Sequence, residues 1–407
     1  MRPDEAEPAT LVRRVLDFVP LAGVAAALFL VSCLLVPGGP LDAVPYGDVH
    51  LYATYAGNMA SGHWPYGDFF DEYPPLAQPL FLFVHVLPGG YAHAFRWTMA
   101  LMGAAAVVLM VAALASVGAS RLRLAVAAVV AGIAPLVTGP IFLNAYDLWP
   151  ALLTAAALLA FVRRSERTAY VLLALAVAAK IYPVVLLPLA LVETWERGGR
   201  ELARRMLLWF GGVLVLVHLP FAVMGPGGLR YSYWIQLKRG LEVESLGGAL
   251  LLVLDQLGLR HTTLVASFST NVGGGLASAI ATITSLIALA AIVLVVWLYL
   301  KRRRDPLVAA SAAVVAFVAF GKVFSPQYVD WFVPLVPAAG AVASGLLIGV
   351  LALTHVVFDR FHAPGGPDGA QYKAALAWWV FVRDVLVVAL YVWLVLRLRR
   401  KPATSSA

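Results

Sequence analysis

The segment PYGDVHLYATYAGNMASGHWPYGDFFDEYPPL, from Pro45 to Leu76, follows a first hydrophobic span at 15–36 and precedes a long series of apolar stretches. It contains eight Tyr, Trp or Phe residues, and no lysine or arginine occurs anywhere between Arg14 and Arg96. Loops on rigid scaffolds are where binding and chemistry concentrate. We therefore expect the functional site in this aromatic, acidic loop.

The overall composition indicates a membrane protein. Of the 407 residues, 61% are hydrophobic and only 13% are charged, which lies outside the range of soluble domains. Apolar runs of about 18 residues or more recur along the chain, and each is long enough to cross a bilayer core. The sequence therefore predicts an all-α polytopic membrane protein with the lipid bilayer as a partner.

The cations have the distribution of a membrane protein. A net charge of +8 would suit a nucleic-acid partner, but the cations cluster at the ends of apolar runs, so we predict no nucleic-acid binding. Arginine outnumbers lysine by 24 to 6, and Ala, Val, Leu and Gly are abundant, which is typical of GC-rich bacterial genomes. We expect a multi-pass protein of a bacterial plasma membrane, with its active site on the extracytoplasmic face.

The single cysteine, Cys33, excludes a disulfide framework. The stretch Leu30–Cys33 follows an apolar run and resembles a bacterial lipoprotein cleavage site. The alternative is a signal-anchor helix that buries its cysteine, and the many downstream spans favour this alternative.

The apolar pattern predicts about twelve transmembrane helices and two shorter interfacial or re-entrant helices, at 76–88 and 246–258. Splits at Ile181–Pro183 and Ala338–Val342 leave spans too short to face lipid along their whole length. Those spans must therefore pack inside protein or beside a wet cavity. The predicted spans are 15–36, 93–117, 122–140, 146–163, 168–180, 182–193, 205–224, 276–300, 306–320, 328–341, 343–358 and 376–397.

Charge favours these splits and gives the orientation. With a cytoplasmic N-terminus, twenty of the 30 lysines and arginines fall on inner segments, as the positive-inside rule expects. Without the split at Pro183, the Arg197–Arg205 cluster would lie outside. The expected organisation is a single integral-membrane domain at 1–407, with cytoplasmic tails at 1–14 and 398–407 and an outer loop at 37–92 in which we expect the catalytic site.

An acidic outer loop above cations at the membrane surface suits transfer of a sugar from a polyprenyl phosphate. The leaving group is a lipid monophosphate with a second pKa of roughly 6, so it departs without a general acid. Glycosidases need two carboxylates, whereas here one is enough, placed to take the proton of the acceptor hydroxyl. The cations would hold the phosphate and stabilise its growing charge.

Asp48 is the best candidate for this general base. It lies shortly after the first span, between Gly47 and the polar side chains of His50 and Tyr52. The alternative is an N-cap role, because Asp is a favoured N-cap residue and a helix is expected to begin near Val49. The two roles are compatible.

Three further acids, Asp68, Asp71 and Glu72, precede Tyr73 and two prolines. They are weaker candidates for catalysis, because the same residues are typical of a turn before a helix. We expect Glu72 and Tyr73 to contact substrate. A divalent metal bridging Asp48 to these acids is chemically conceivable, since hard cations favour oxygen ligands. No coordination set is evident, so no cofactor is predicted.

Polar residues interrupt apolar sequence near the outer ends of the predicted spans. Charges at such depth are costly and usually line a site, although a lysine there often snorkels to the interface instead. Asn144 and Asp147 could bind sugar hydroxyls, or could cap the helix expected near Leu148. Trp64, Trp149, Trp234 and Trp331 are expected to be interfacial anchors. The expected substrate contacts are Lys180, Lys322, Asn144, Asp147, Tyr73, Glu72, Gln327 and Tyr328. Lys180 and Lys322 are expected to hold the donor phosphate, and the alternative is the loop of Arg230, Lys238 and Arg239.

A family resemblance joins these motifs. Asp48, Tyr52, Gly62, Pro65–Tyr66 and Tyr73–Leu76 together resemble the first-loop pattern of polyprenol-phosphate-mannose-dependent mannosyltransferases of the C-type glycosyltransferase fold. A similar first loop occurs in the GPI-anchor mannosyltransferase that adds the first mannose. Further blocks of the bacterial family are similar to Tyr146–Leu152, Ala179–Pro183 and Ser325–Leu335.

The resemblance implies an inverting membrane transferase that uses a polyprenyl-phosphate sugar, mannose above all, with Asp48 as general base. The acceptor would be a glycolipid or a glycan of the cell envelope. The eukaryotic relative has paired acids near its first-loop aspartate, whereas Val49 and His50 follow Asp48 here. For this reason the resemblance does not imply a bound metal.

A transporter or lipid flippase is the alternative function. It would also place ionisable residues at membrane depth, but near the bilayer midplane and commonly in repeated halves. In this sequence such residues gather near one face and no repeat is visible. The pattern therefore favours the transferase.

Overall fold

The computed structural model of the protein describes residues 3–36, 48–266, 269–302, 305–362 and 376–400. The predicted loop residues 37–47, which include Asp42, and the tail residues 401–407 lie outside the described residues. The helices are α1 Pro3–Leu34, α2 Val49–Ala60, α3 Ala77–His85, α4 Tyr91–Ser116, α5 Arg121–Thr138, α6 Ile141–Asn144, α7 Leu148–Val162, α8 Glu166–Ala179, α9 Leu187–Met224, α10 Pro226–Lys238, α11 Leu246–Gln256, α12 Gly275–Arg302, α13 Pro306–Ala319, α14 Ala341–His362 and α15 Ala377–Arg399.

The predicted class, an all-α polytopic membrane protein, is confirmed. Within the described residues, six helical segments are long and apolar enough to cross a membrane: Tyr91–Ser116, Arg121–Thr138, Tyr182–Met224, Gly275–Arg302, Ala341–Phe358 and Ala377–Arg399. Shorter apolar helices lie at Phe18–Leu34, Leu148–Val162, Leu246–Gln256 and Pro306–Ala319. The count of twelve crossings stays a prediction.

The predicted reversal at Ile181–Pro183 is present. After α8 the chain turns through a 3₁₀ segment, Tyr182–Leu186, into α9. Arg197 on α9 returns to the first turn of α8, where its Nη1 lies 3.0 Å from Glu166 Oε1. The first part of α9 is thus antiparallel to α8, and Arg197 lies at the end of the bundle that carries Arg163 and Arg167.

The long helix α9 is interrupted at Gly198 and Gly199. Gly199 has φ of 64°, a left-handed conformation that glycine adopts without the cost of a Cβ contact. Beyond this break α9 continues to Met224, whose carbonyl lies beside Gly67 of the first loop. The second part of α9 therefore spans from the basic end of the bundle to the loop end.

The predicted reversal at Ala338–Val342 is also present. A 3₁₀ segment, Val336–Ala339, lies between two arginines of the basic end. Arg123 Nε, at the start of α5, donates to the Ala338 carbonyl at 2.6 Å, and Arg397, near the end of α15, donates to the Ala339 carbonyl. The chain has therefore returned to the basic end before α14 begins.

The predicted helical span 328–341 is wrong as a regular helix. The chain forms two 3₁₀ segments there, Pro326–Trp331 and Val336–Ala339, because prolines at 326, 334 and 337 each remove a backbone donor. The side chains between Val329 and Ala339 that belong to the hydrophobic core are 0–1% exposed. The predicted burial of this irregular crossing inside protein is confirmed.

α1 packs closely against α4 and α5. A Cβ added at Gly103 of α4 would lie 2.3 Å from the Phe29 ring, and one added at Gly132 of α5 would lie 2.7 Å from Leu28 Cβ. Small residues at such crossings let apolar helices approach each other in a membrane. Cys33 is buried on α1, as the signal-anchor interpretation predicts.

A small sheet, which the sequence analysis did not predict, lies between α10 and α12. Strands β1 Leu241–Glu242, β2 Leu264–Ala266 and β3 Thr270–Val272 form an antiparallel sheet with β3 in the middle. Strands of two or three residues are too short for an alternating pattern to be recognised. Together with α11 the sheet forms a second apolar cluster against Val357, Leu376 and Val380.

We predict that Arg200 and Ser61 lie on opposite faces of the membrane, because the reversal after α8 returns α9 to the basic end. Both positions are exposed in the structure. In a Cys33→Ala background, Ser61→Cys should react with a membrane-impermeant maleimide in intact cells, and Arg200→Cys should react only after permeabilisation. Labelling of position 200 from outside would contradict this topology.

Candidate active site

Asp48 lies at the N-terminus of α2, but its side chain does not cap the helix. Its Oδ2 instead accepts a hydrogen bond from the phenol of Tyr73, at 2.9 Å. The Asp48 carboxylate is therefore not an N-cap of α2, and it is bonded to the first loop instead. A hydrogen bond from a neutral phenol orients this carboxylate without placing a cation on it.

Tyr73 is held by an aromatic cluster. Its ring meets those of Tyr52, Phe81 and Tyr146 edge to face, with centroid distances of 5.3, 5.7 and 5.2 Å. Aromatic pairs favour this arrangement and gain energy beyond the area that they bury. The direction of the Tyr73 hydroxyl, and with it that of Asp48, is therefore determined by packing.

Asp68 and Asp71 form the turn that the sequence suggested as their alternative role. Asp68 Oδ2 accepts from the Trp64 amide at 2.6 Å, and Asp71 Oδ1 accepts from the Tyr73 amide at 2.8 Å. Asp71 is fully buried, and burial raises the pKa of its carboxyl to about 7. Among the described residues, no three His, Cys, Asp or Glu side chains are grouped so that they could hold a metal ion.

The tip of the first loop docks on the corner between α9 and α10. Tyr66 has φ of 65°, uncommon for a residue with a side chain, and its hydroxyl donates to the Tyr73 carbonyl. A Cβ at Gly228 of α10 would lie 2.0 Å from the Tyr66 carbonyl oxygen, and one at Gly225 would lie 2.6 Å from the Gly67 amide nitrogen. Only glycine fits at these two contacts.

Lys180, Asp147 and Trp331 form one buried cluster. Asp147 Oδ1 accepts from Lys180 Nζ at 2.6 Å and from the Trp331 indole at 2.7 Å. Lys180 Nζ also lies 4.8 Å from the Tyr146 ring centroid and 5.5 Å from that of Tyr328. The expected substrate contacts Asp147 and Lys180 are thus paired with each other. Trp331 is 1% exposed, so the expectation that it anchors the interface is wrong.

Asn144 occupies a buried position apart from this cluster. Its Oδ1 accepts from Arg96 at 3.2 Å, and its Nδ2 donates to the Pro140 carbonyl at 2.9 Å. It ends α6 and caps nothing at Leu148, where Asp147 occupies the N-cap position without a side-chain bond. The N-cap alternative is therefore wrong for both residues.

The expected contacts Gln327 and Tyr328 lie on the 3₁₀ segment Pro326–Trp331, and both are half-buried. The Tyr328 ring is stacked on that of Trp331 with 4.1 Å between centroids. Trp331 is stacked in turn on Tyr182, at 4.0 Å. The sequence blocks that contain Lys180 and Gln327 therefore meet through their aromatic rings.

Lys322 lies in a second, cationic group with Lys238 and Arg239. Its Nζ donates to the Leu237 carbonyl at 2.7 Å. Partial burial lowers the pKa of Lys322, and the positive charges of Arg239 and Lys238 lower it further. Three neighbouring cations repel one another, and an anion placed among them would relieve that repulsion.

Glu72 lies between the acids and the cations. Burial and the negative charge of Asp48 raise the pKa of its carboxyl, while Arg239 and Lys180 oppose that shift. The structure therefore brings Asp48, Glu72 and Tyr73 of the first loop near Arg239. Arg239 belongs to the loop that the sequence offers as the alternative phosphate site, and the structure places it close enough to act on Glu72.

Sequence analysis missed a fully buried arginine, Arg383 of α15. Its Nη1 lies 3.0 Å from Glu244 Oε2, and its Nε lies 3.0 Å from Asp384 Oδ1. Glu242, two residues before Glu244, accepts from Arg239 at 3.1 Å and from the Phe324 amide at 2.8 Å. The adjacent pair Arg383–Asp384 inside an apolar span was the available signal, because charges at this depth are rarely without a role.

The comparison with protein families matches the segment that contains much of this arrangement. Residues 70–247 match the model of glycosyltransferase family 87. The matched segment runs from the acidic turn of the first loop, through Lys180, to the loop of Arg239 and Glu242. It supports the predicted glycosyltransferase class, while mannose as the sugar stays a prediction. No curated protein gives a significant match.

Three solved structures, each with a bound lipid phosphate or peptide, show a distant likeness to this chain. ArnT from Cupriavidus metallidurans bound to undecaprenyl phosphate has a TM-score of 0.48 and 16% identity, over 93% of this chain and 76% of its own. The Archaeoglobus fulgidus oligosaccharyltransferase tethered to an acceptor peptide has a TM-score of 0.44 and 15% identity, over 94% of this chain and 54% of its own.

A second structure of the Archaeoglobus fulgidus enzyme, AglB with an inhibitory peptide and a dolichol-phosphate, has a TM-score of 0.44 and 16% identity, over 94% of this chain and 56% of its own. This chain thus spans little more than half the length of the oligosaccharyltransferases. Since all three TM-scores lie below 0.5, the helical membrane class rests on the spans described above.

We predict that Gly228→Ala and Gly227→Ala have opposite effects on stability. A Cβ at 228 must displace the Tyr66 backbone, whereas a Cβ at the adjacent Gly227 meets nothing within 4 Å. Overpacking of this kind costs about 1–3 kcal/mol, and alanine in an open helical site gains up to about 1 kcal/mol over glycine. Thermal unfolding of the two purified variants in detergent measures this. Equal melting temperatures would contradict the docking of Tyr66 on α10.

Proposed function

We propose that this protein is an inverting glycosyltransferase that moves a sugar, mannose in this proposal, from a polyprenyl phosphate to an acceptor hydroxyl outside the cytoplasm. The observation that carries the proposal is the Asp48 carboxylate, oriented by Tyr73 and placed in a site that also contains Glu72 and Arg239. The match of residues 70–247 to a glycosyltransferase family supports it. The acceptor is a glycolipid or an envelope glycan.

In the proposed reaction Asp48 is the general base. The acceptor oxygen attacks the anomeric carbon, and the bond from that carbon to the phosphate oxygen breaks with its electron pair going to the phosphate. The acceptor proton passes to Asp48, and the lipid phosphate leaves as an anion. Attack opposite the leaving group inverts the configuration. Glu72 and Tyr73 line the site, with Glu72 available to accept hydrogen bonds from sugar hydroxyls.

Lys322 and Arg239 are proposed to hold the donor phosphate. Lys322 lies in the cationic group, and within the described residues no carboxylate is bonded to its ammonium. Lys180, in contrast, forms an ion pair with the buried Asp147. We therefore assign the phosphate contact to Lys322 and Arg239. Lys180 and Asp147 support the site, and Asn144, Gln327 and Tyr328 remain proposed substrate contacts.

The first test is substitution of the proposed base. Asp48→Asn should leave the protein folded and able to bind donor lipid, but should lower transfer by ~10²–10⁴, the range for loss of a general base. Asp68→Asn is the matched control, because Asp68 accepts a backbone amide at 2.6 Å in an exposed turn. The assay uses purified enzyme, radiolabelled polyprenyl-phosphate mannose and a membrane extract.

Two results of this assay would overturn the assignment of the base. One is near wild-type turnover in Asp48→Asn, and the other is loss of transfer in Asp68→Asn alone. Parallel donors with arabinofuranose or another hexose identify the sugar. Movement of the labelled lipid across vesicles without sugar transfer would indicate a carrier instead of a transferase.

The same change at two lysines tests the phosphate assignment. Lys322→Met should raise donor KM by at least tenfold with little effect on acceptor KM, because loss of a hydrogen bond to a charged group costs about 1.5–3 kcal/mol. Lys180→Met should instead destabilise the fold by about 3–5 kcal/mol, because it leaves the buried Asp147 without its partner. Steady-state kinetics and thermal unfolding separate the two. An unchanged donor KM in Lys322→Met would exclude it from the phosphate site.

A further inference from the structure

Arg383 is a buried charged residue that has no role of its own in the proposed reaction. It belongs to α15, far along the chain from the first loop, and its side chain is 0% exposed. Nη1 lies 3.0 Å from Glu244 Oε2, Nη2 donates to the Glu244 carbonyl at 2.6 Å, and Nε donates to Asp384 Oδ1 at 3.0 Å. The guanidinium is therefore hydrogen-bonded to both the side chain and the backbone of Glu244.

The other face of the guanidinium covers Phe324. Arg383 Cζ lies 4.0 Å from the centroid of that ring, close enough for a cation–π contact. Phe324 follows Lys322 by two residues, and Glu244 follows Arg239 by five. One side chain thus contacts both segments that carry the cations of the proposed phosphate site.

Glu242 links these two segments next to Arg383. Its amide donates to the Lys322 carbonyl at 2.9 Å, and its carboxylate accepts from the Phe324 amide at 2.8 Å and from Arg239 at 3.1 Å. The segment from Arg239 to Glu244 and the segment from Lys322 to Phe324 therefore form one unit. Arg383 attaches this unit to a membrane-spanning helix.

Stability alone is a poor explanation for this arrangement. Replacing a buried ion pair by apolar side chains of similar volume is often neutral or stabilising, so a buried arginine with two acids adds little net stability. The planar guanidinium instead fixes the positions of the groups that it bonds, because its donors have a rigid geometry. An arginine in this position determines where the bound segments lie.

We infer that Arg383 is a positioning residue, which rests on the proposed function: it keeps Arg239 and Lys322 at the place where they meet the donor phosphate. Loss of Arg383 should weaken recognition of the phosphate while leaving the acceptor side of the site, which the first loop forms, intact. The effect is on binding of the anion, and the proton transfer to Asp48 is not involved.

The test measures binding and needs no turnover. Purified protein is titrated with a labelled polyprenyl phosphate and, separately, with the polyprenol that lacks the phosphate. The wild-type protein should prefer the phosphate, and Arg383→Met should lose at least about tenfold of that preference, the size expected when a charge-assisted contact is weakened. Arg383→Lys should recover part of it. In kinetics, donor KM should rise and acceptor KM should not.

Arg397→Met is the matched control, because Arg397 lies on the same helix and bonds the Ala339 carbonyl at the opposite end of the bundle. It should retain the full preference for the phosphate. If Arg383→Met does not fold, two milder variants replace it. Arg383→Met combined with Glu244→Gln and Asp384→Asn removes the arginine and both acids together, and Phe324→Leu removes only the stacked ring. Each should lower the preference.

The outcomes separate the inference from the proposed function. A folded Arg383 variant with an unchanged preference for the phosphate overturns the positioning role and leaves the proposed function standing. A wild-type protein without any preference overturns the proposed phosphate site, and the role of Arg383 with it. An equal loss of preference in Arg397→Met would show a general effect of α15 and would also overturn the inference.

Discussion

The bond between Lys180 and Asp147 is the constraint on which the loop end of the structure depends. Asp147 is fully buried, and a buried carboxylate is costly unless it is paired and hydrogen-bonded. Lys180 at the end of α8 and Trp331 of the irregular crossing both bond to it. The start of α7, the end of α8 and the 3₁₀ segment Pro326–Trp331 are thereby held together.

The first loop is built on this cluster. The Leu76 amide donates to the Ala178 carbonyl at 3.1 Å, two residues before Lys180, and the Tyr146 hydroxyl donates to the Ala179 carbonyl at 3.1 Å. Tyr146 then packs against Tyr73, which orients Asp48. The Lys180–Asp147 pair is therefore connected to the proposed base through hydrogen bonds and ring contacts.

Sequence patterns predicted most of the helices and the residues that gather at the loop end, because hydrophobic length, positive charge and proline breaks act locally. They did not predict which residues pair. Asp147 and Lys180 each suggested a substrate contact, yet they bond to each other, and Asn144 bonds to Arg96. Such pairings depend on side chains that are distant in sequence, and a single sequence carries no local signal for them. The bond between Arg383 and Glu244 escaped prediction for the same reason, whereas the strands of the sheet were too short to be recognised.

The pairing pattern also bears on how Asp48 can act as a base. Had Asp48 bonded directly to Arg239, the ion pair would hold its charge and the carboxylate would be a weak proton acceptor. Two cations near the site are instead paired with other acids: Lys180 with Asp147, and Arg239 with Glu242. Within the described residues Asp48 has no ion pair and accepts only the Tyr73 phenol. Asp48 is held through Tyr73 and Tyr146 near the start of α7, whereas the segments of Arg239 and Lys322 are held by Arg383 of α15. This separate anchoring prevents the base and the cations of the site from neutralising each other.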